Sequence, residues 1–119
     1  MYRIELDSVG IVVVYVSGFF ELESARALNR DVLKAVDQMR KSRNRTLVAC
    51  VSEGELHAAS PEAMAEFIAF QKILLRGPQD KMANVVASAL VRMQFERLGQ
   101  PDQVKSFETL DQAKEWLLG

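Results

Sequence analysis

Cysteine and histidine each occur once in these 119 residues, as Cys50 and His57. One cysteine permits no internal disulfide. One histidine leaves no partner for a histidine-rich zinc site or for a second acid–base imidazole. Glycine is thin as well: its six residues stand singly, so neither G-x-G-x-x-G nor G-x-x-x-x-G-K-[ST] occurs and no standard phosphate cradle is expected. No charge of one sign dominates. Fifteen Lys and Arg against sixteen Asp and Glu leave a net charge of -1, so the whole molecule has no pull toward nucleic acid or anionic lipid. The longest unbroken apolar run, Ile11 to Val16, is far short of the roughly 20 residues of a membrane-spanning helix. The first residues, Met1 to Glu5, already alternate like a strand and carry no signal-peptide pattern. The chain is therefore read as complete, cytoplasmic and a single domain over 1–119.

What is present is an ordinary globular composition, 49% apolar and 26% charged. Tyr2 to Leu6 alternates at period two, Asp7 to Gly10 supplies turn residues, and Ile11 to Val16 is β-branched or aromatic throughout. Together they predict an opening hairpin. A helix follows over about 22–41, with Leu22, Ala25, Leu28, Val32, Val36 and Met39 at three- and four-residue steps. Thr46 to Val51 reads as a second buried strand, parallel to the first across a right-handed crossover. Ser60-Pro61-Glu62 announces a helix running to about Arg76: a capping hydroxyl, a proline at the first helical position, and an acid at the positive dipole end. Met82 to Ala87 predicts a strand, Ser88 to Leu98 a helix and Val104 to Phe107 a last strand. Thr109 to Gln112 fits a capping box opening a terminal helix. The order ββαβαβαβα predicts an α/β fold, a mixed central sheet of about five strands with helices packed on it.

Several of these segments resemble one known group. They are the strand end Val16-Ser17-Gly18, the strand Thr46 to Val51, the opening Ser60-Pro61-Glu62-Ala63, and the tail from Phe107 to Leu117 with its Ala113-x-x-Trp116-Leu117 end. Nearly the whole chain resembles the SpoIIAA-like group of STAS domains, named for sulfate transporters and anti-sigma-factor antagonists. The resemblance implies a regulatory, non-enzymatic module that acts through protein contacts. Sigma-pathway STAS domains carry a serine or threonine at the start of the helix after the third strand, where a kinase-like partner phosphorylates it. Laid on that pattern, Ala59 takes the phosphoacceptor position, Ala58 the aspartate before it and Cys50 the aspartate ending the strand. Ser60 is displaced by one residue and is a weak phosphoacceptor candidate. Some SpoIIAA-like members are similar to the lipid-transfer (CRAL-TRIO) architecture, which implies an alternative role as carrier of a small apolar ligand.

The remaining features weigh against catalysis. Cys50 falls inside an apolar strand, where a thiol is buried and inert, and His57 falls in a loop with Glu53 and Glu55. Three ligands within five loop residues make a solvated acidic loop more than a metal site, so no metal and no cofactor are expected. The basic group Arg40, Lys41, Arg43 and Arg45 offsets a helix dipole, and no aromatic residues interleave with it for base stacking. Nucleic acid is not expected as a partner. The helix from Pro61 is the feature that asks for explanation. Ala63, Leu74, Phe67, Met64, Leu75, Ile68 and Phe70 cover an arc of roughly 160° at 100° per residue, wider than one sheet face requires. Met64, Phe67, Ile68, Phe70 and Leu74 are accordingly the candidates for a homodimer interface, for contact with another protein, or for lining an apolar-ligand cavity.

Overall fold

The computed structural model of the chain describes residues 2–41, 45–53, 59–86, 89 and 102–119. The predicted helix over 88–98 lies almost wholly outside these residues, as do His57, Glu55, Ala58 and Arg43.

Strands β1 (Tyr2–Leu6) and β2 (Val12–Val16) pair antiparallel, with Ile4 opposite Val14. The turn between them closes through Gly10, whose φ of 95° is the left-handed conformation that glycine adopts without strain. Helix α1 (Leu22–Arg40) then crosses over to β3 (Leu47–Ser52), which runs parallel to β2. Helix α2 (Pro61–Leu74) makes the next crossover, to β4 (Lys81–Val85). Strand β5 (Val104–Phe107) pairs parallel with β4, and helix α3 (Leu110–Leu118) follows. The sheet order is β1-β2-β3-β4-β5, the order of the chain itself.

Period-two alternation splits the apolar strands between two cores. Val12, Val14 and Val48 face α1 and α2, packing with Ala25, Leu28, Val32 and Val36 of α1 and with Ala63 and Leu74 of α2. Ile11, Val13, Leu47, Ala49, Ala83 and Val85 face the other way, onto Ala113 and Leu117 of α3. This double burial is why both β2 and β3 read as near-continuous apolar runs. The terminal helix is fixed by the capping box expected of it: Thr109 Oγ1 accepts from the Gln112 amide at 3.2 Å, and Gln112 Oε1 from the Thr109 amide at 3.3 Å.

Polar clasps tie the elements together. The Tyr2 hydroxyl donates to the Asp31 carboxylate of α1, and Lys114 of α3 donates to Asp7 of the hairpin turn at 2.6 Å. Asp80 is 5% exposed and accepts three backbone N–H groups, from Thr46 at 2.8 Å and from Arg76 and Gly77 at 3.0 Å each. That carboxylate stops α2 two residues short of the Arg76 expected from sequence. Leu75 leaves the helix at φ -95° and ψ 76°, and the next two amides turn to Asp80. Arg40 also has a role that its place in a basic cluster did not suggest. Its Nε donates to Thr46 Oγ1 at 2.8 Å and its Nη2 to the Leu74 carbonyl at 2.9 Å, joining the C-terminal ends of α1 and α2.

Candidate functional site

The N-terminal end of α2 is built where two crossovers meet. Gly18, at φ 82°, turns the chain out of β2 and leaves Phe19 58% exposed. Phe20 turns inward, makes an isolated parallel bridge with Ala59, and accepts the Ser60 amide at 2.9 Å. Ser60 then caps α2: its backbone is extended and its Oγ accepts from the Ala63 amide at 3.1 Å. Pro61 occupies the first turn, where its missing N–H costs nothing. Farther along, the Phe67 ring meets Phe20 edge-on at 5.7 Å. Glu66 faces α1, with its carboxylate 3.4 Å from Arg26 and its carbonyl accepting from Asn29 at 3.5 Å.

The candidates from the broad apolar arc divide into three groups. Leu74 is fully enclosed, 0% exposed beside Ala63, so it serves the protomer core and offers no surface to a second molecule or a ligand. Phe67 and Phe70 are half-buried and pack onto the same core from its rim; Met64 is half-buried on the flank of the helix. Ile68 alone of the five is exposed, at 45%. Ile73, which the periodicity placed outside the arc, is 50% exposed, and Pro61, Ala65 and Ala69 are exposed with it. The outward face of α2 is therefore itself largely apolar, interrupted by Glu62 and Lys72. The sequence marks that face by its charges, Glu62, Glu66 and Lys72, which all fall opposite the apolar arc, but not by its exposed Ile73 and alanines.

Cys50 lies in β3 between Val14 and Asn84 of the neighbouring strands, and burial pushes its thiol up to about 11. The residue is half-buried, with little thiolate at neutral pH. Ala59 is half-buried in its bridge to Phe20, and Glu53 is exposed, its amide donating to the Val16 carbonyl at 2.8 Å. Among the described residues no group of three or more His, Cys, Asp or Glu side chains converges as metal ligands would. Among them, too, no helix is long and apolar enough to cross a membrane.

A five-stranded mixed sheet with helices packed on it has counterparts among solved structures. The fold is SpoIIAA-like. An uncharacterised protein with a SpoIIAA-like fold from Shewanella loihica PV-4 superposes with a TM-score of 0.68 at 16% identity, over 98% of this chain and 92% of that one. The unphosphorylated anti-sigma factor antagonist SpoIIAA gives 0.67 at 11% identity, over 100% and 99%. An anti-sigma factor antagonist from Mycobacterium paratuberculosis gives 0.67 at 17% identity, over 100% and 94%. No protein-family model and no curated protein sequence matches the chain. In this SpoIIAA-like frame the residue after β3 that bridges to the start of α1 is an alanine, Ala59, and the first hydroxyl is the capping Ser60.

Proposed function

We propose that this chain is a regulatory protein-interaction module of the STAS-like type, one domain working in the cytoplasm without catalysis, and that it self-associates as a homodimer through the outward face of α2. The single observation that carries the reading is the exposure of Ile68 and Ile73, at 45% and 50%, on a helix whose opposite side already supplies Ala63 and Leu74 to the core. Large aliphatic side chains in water gain roughly 1.5–3 kcal/mol each on full burial, and these two flank the exposed Pro61, Ala65 and Ala69 on either side of the outward face. The SpoIIAA-like fold supports a regulatory role, since solved proteins of this shape include anti-sigma factor antagonists.

Ser60 serves this module as the cap of α2, the role its bond to the Ala63 amide supports. A phosphoryl group on its Oγ would meet the free amides and positive dipole of the same helix end, and phosphorylated SpoIIAA shows that proteins of this shape take such a group.

Sedimentation velocity of the full chain, from about 10 μM to about 1 mM, tests the reading. The expected result is a concentration-dependent dimer that Ile68→Glu and Ile73→Glu weaken while the far-UV CD spectrum stays unchanged. A wild-type chain that remains monomeric throughout overturns the homodimer. Native mass spectrometry of the same preparation separates the carrier alternative, which requires a co-purifying mass of a few hundred daltons.

A further inference from the structure

Helix α2 carries two opposite charges with no partner among the described residues. Glu62 is in the first turn and Lys72 in the last; both are exposed, and neither side chain makes an ion pair or hydrogen bond with the described residues. At about 1.5 Å per residue they are about 15 Å apart along the axis, too far to reach each other. Between them Ala65 and Ala69 stand one turn apart, also exposed, and Pro61 and Ile73 bracket the set.

Positions equidistant from Phe67 mirror each other on any helix; here the exposed ones also match chemically, alanine with alanine and acid with base. At 100° per residue, Ala65 and Ala69 fall about 20° to either side of one line along the helix, Lys72 and Glu62 about 40°, and Pro61 and Ile73 about 60°. That line points about 150° away from the buried pair Ala63 and Leu74. Reversing the helix end for end about the level of Phe67 exchanges Ala65 with Ala69, Glu62 with Lys72 and Pro61 with Ile73.

We infer that α2 packs antiparallel against α2 of a second copy about a twofold axis at the level of Phe67, with Glu62 of each copy beside Lys72 of the other. The inference rests on the self-association proposed above and specifies its geometry. The alanine pair permits the close end of the usual 8–10 Å interaxial range. Opposed dipoles set the positive end of each helix beside the negative end of the other. The contact is isologous and closes at two copies, so each charge pair occurs twice, and a change at one residue is felt twice. One helix face is a small interface, of the transient class.

Charge reversal in the full chain tests the register. Sedimentation equilibrium at low salt is expected to show dimerisation weakened about tenfold or more by Glu62→Lys or by Lys72→Glu, since each places two like-charge pairs in the contact. The double variant, Glu62→Lys with Lys72→Glu, restores both pairs with the signs exchanged and returns to within about threefold of wild type. Far-UV CD confirms that all three fold. A dimer whose affinity ignores both single reversals, or a double variant no better than the singles, overturns this register and leaves the homodimer standing. A monomeric wild type overturns both.

Discussion

Replacing Asp80 by alanine removes one acceptor group from three backbone amides at once, and the cost can be worked from their surroundings. The Thr46 amide lies 2.8 Å from Oδ1 in a residue 3% exposed, so water cannot replace the lost partner. An orphaned buried donor costs about 1–3 kcal/mol. The Arg76 and Gly77 amides share Oδ2, but Arg76 is exposed and Gly77 half-buried, so both can turn to solvent and lose about 0.5–1.5 kcal/mol each. The expected total is about 2–6 kcal/mol, a large share of the 5–15 kcal/mol typical of a domain. Asp80→Asn keeps one carbonyl oxygen but turns an NH2 toward one set of donors, and should cost about half as much. Gln79→Ala, in the neighbouring exposed turn, is the control and should fall within about 0.5 kcal/mol of wild type. Urea unfolding followed by far-UV CD reads all three, provided the slope is unchanged. An Asp80→Ala protein less than about 1 kcal/mol below wild type would refute the idea that this carboxylate organises the end of α2.

Two further outcomes follow from titrating groups. The hydrogen bond from Lys114, helped by the Val9 amide, holds the Asp7 carboxyl below its ordinary 3.8, while the bond to Asp7 holds Lys114 above its ordinary 10.5. The Asp7 contribution is therefore complete above pH 3.8 and lost as the pH falls through the lowered value. The Lys114 contribution is complete below pH 10.5 and lost as the pH rises through the raised one. Asp7→Asn should cost about 0.5–1 kcal/mol near neutrality, discounted for solvent screening, and the deficit should shrink toward both extremes of pH in thermal melts. Cys50, with its thiol at about 11, should react with iodoacetamide at pH 8 at least about tenfold more slowly in the native chain than in urea; equal rates would place the thiol at the surface.

Much of the fold could be read from local signals because local physics makes it. Val12 to Val16 is β-branched or aromatic throughout and Leu47 to Ser52 is a short, mostly apolar run, and Ser60-Pro61-Glu62 and Thr109 to Gln112 cap their helices through bonds spanning three residues. What escaped was non-local. Asp80 meets Thr46 across 34 positions, and no pattern near either residue announces the pair. Arg40 looked like one of several helix-end cations until the fold brought Thr46 and the Leu74 carbonyl beside it. The candidate site fared similarly. Periodicity found that α2 is too apolar for one sheet face, yet it ranked Leu74 with Ile68, although one is enclosed and the other faces water. Only the placement of α1 and β3 decides which residues of such an arc are enclosed.

Because neighbours in the sheet are also neighbours in the chain, each new strand finds its docking edge already made by the one before it. A ribosome releasing this polypeptide from its N-terminus would never have to hold an early strand open for a late arrival, beyond the span of the one connection between them. Short loop closures of this kind favour quick assembly. They also keep the apolar edges of β2 and β3 from standing uncovered long enough to find the wrong partner.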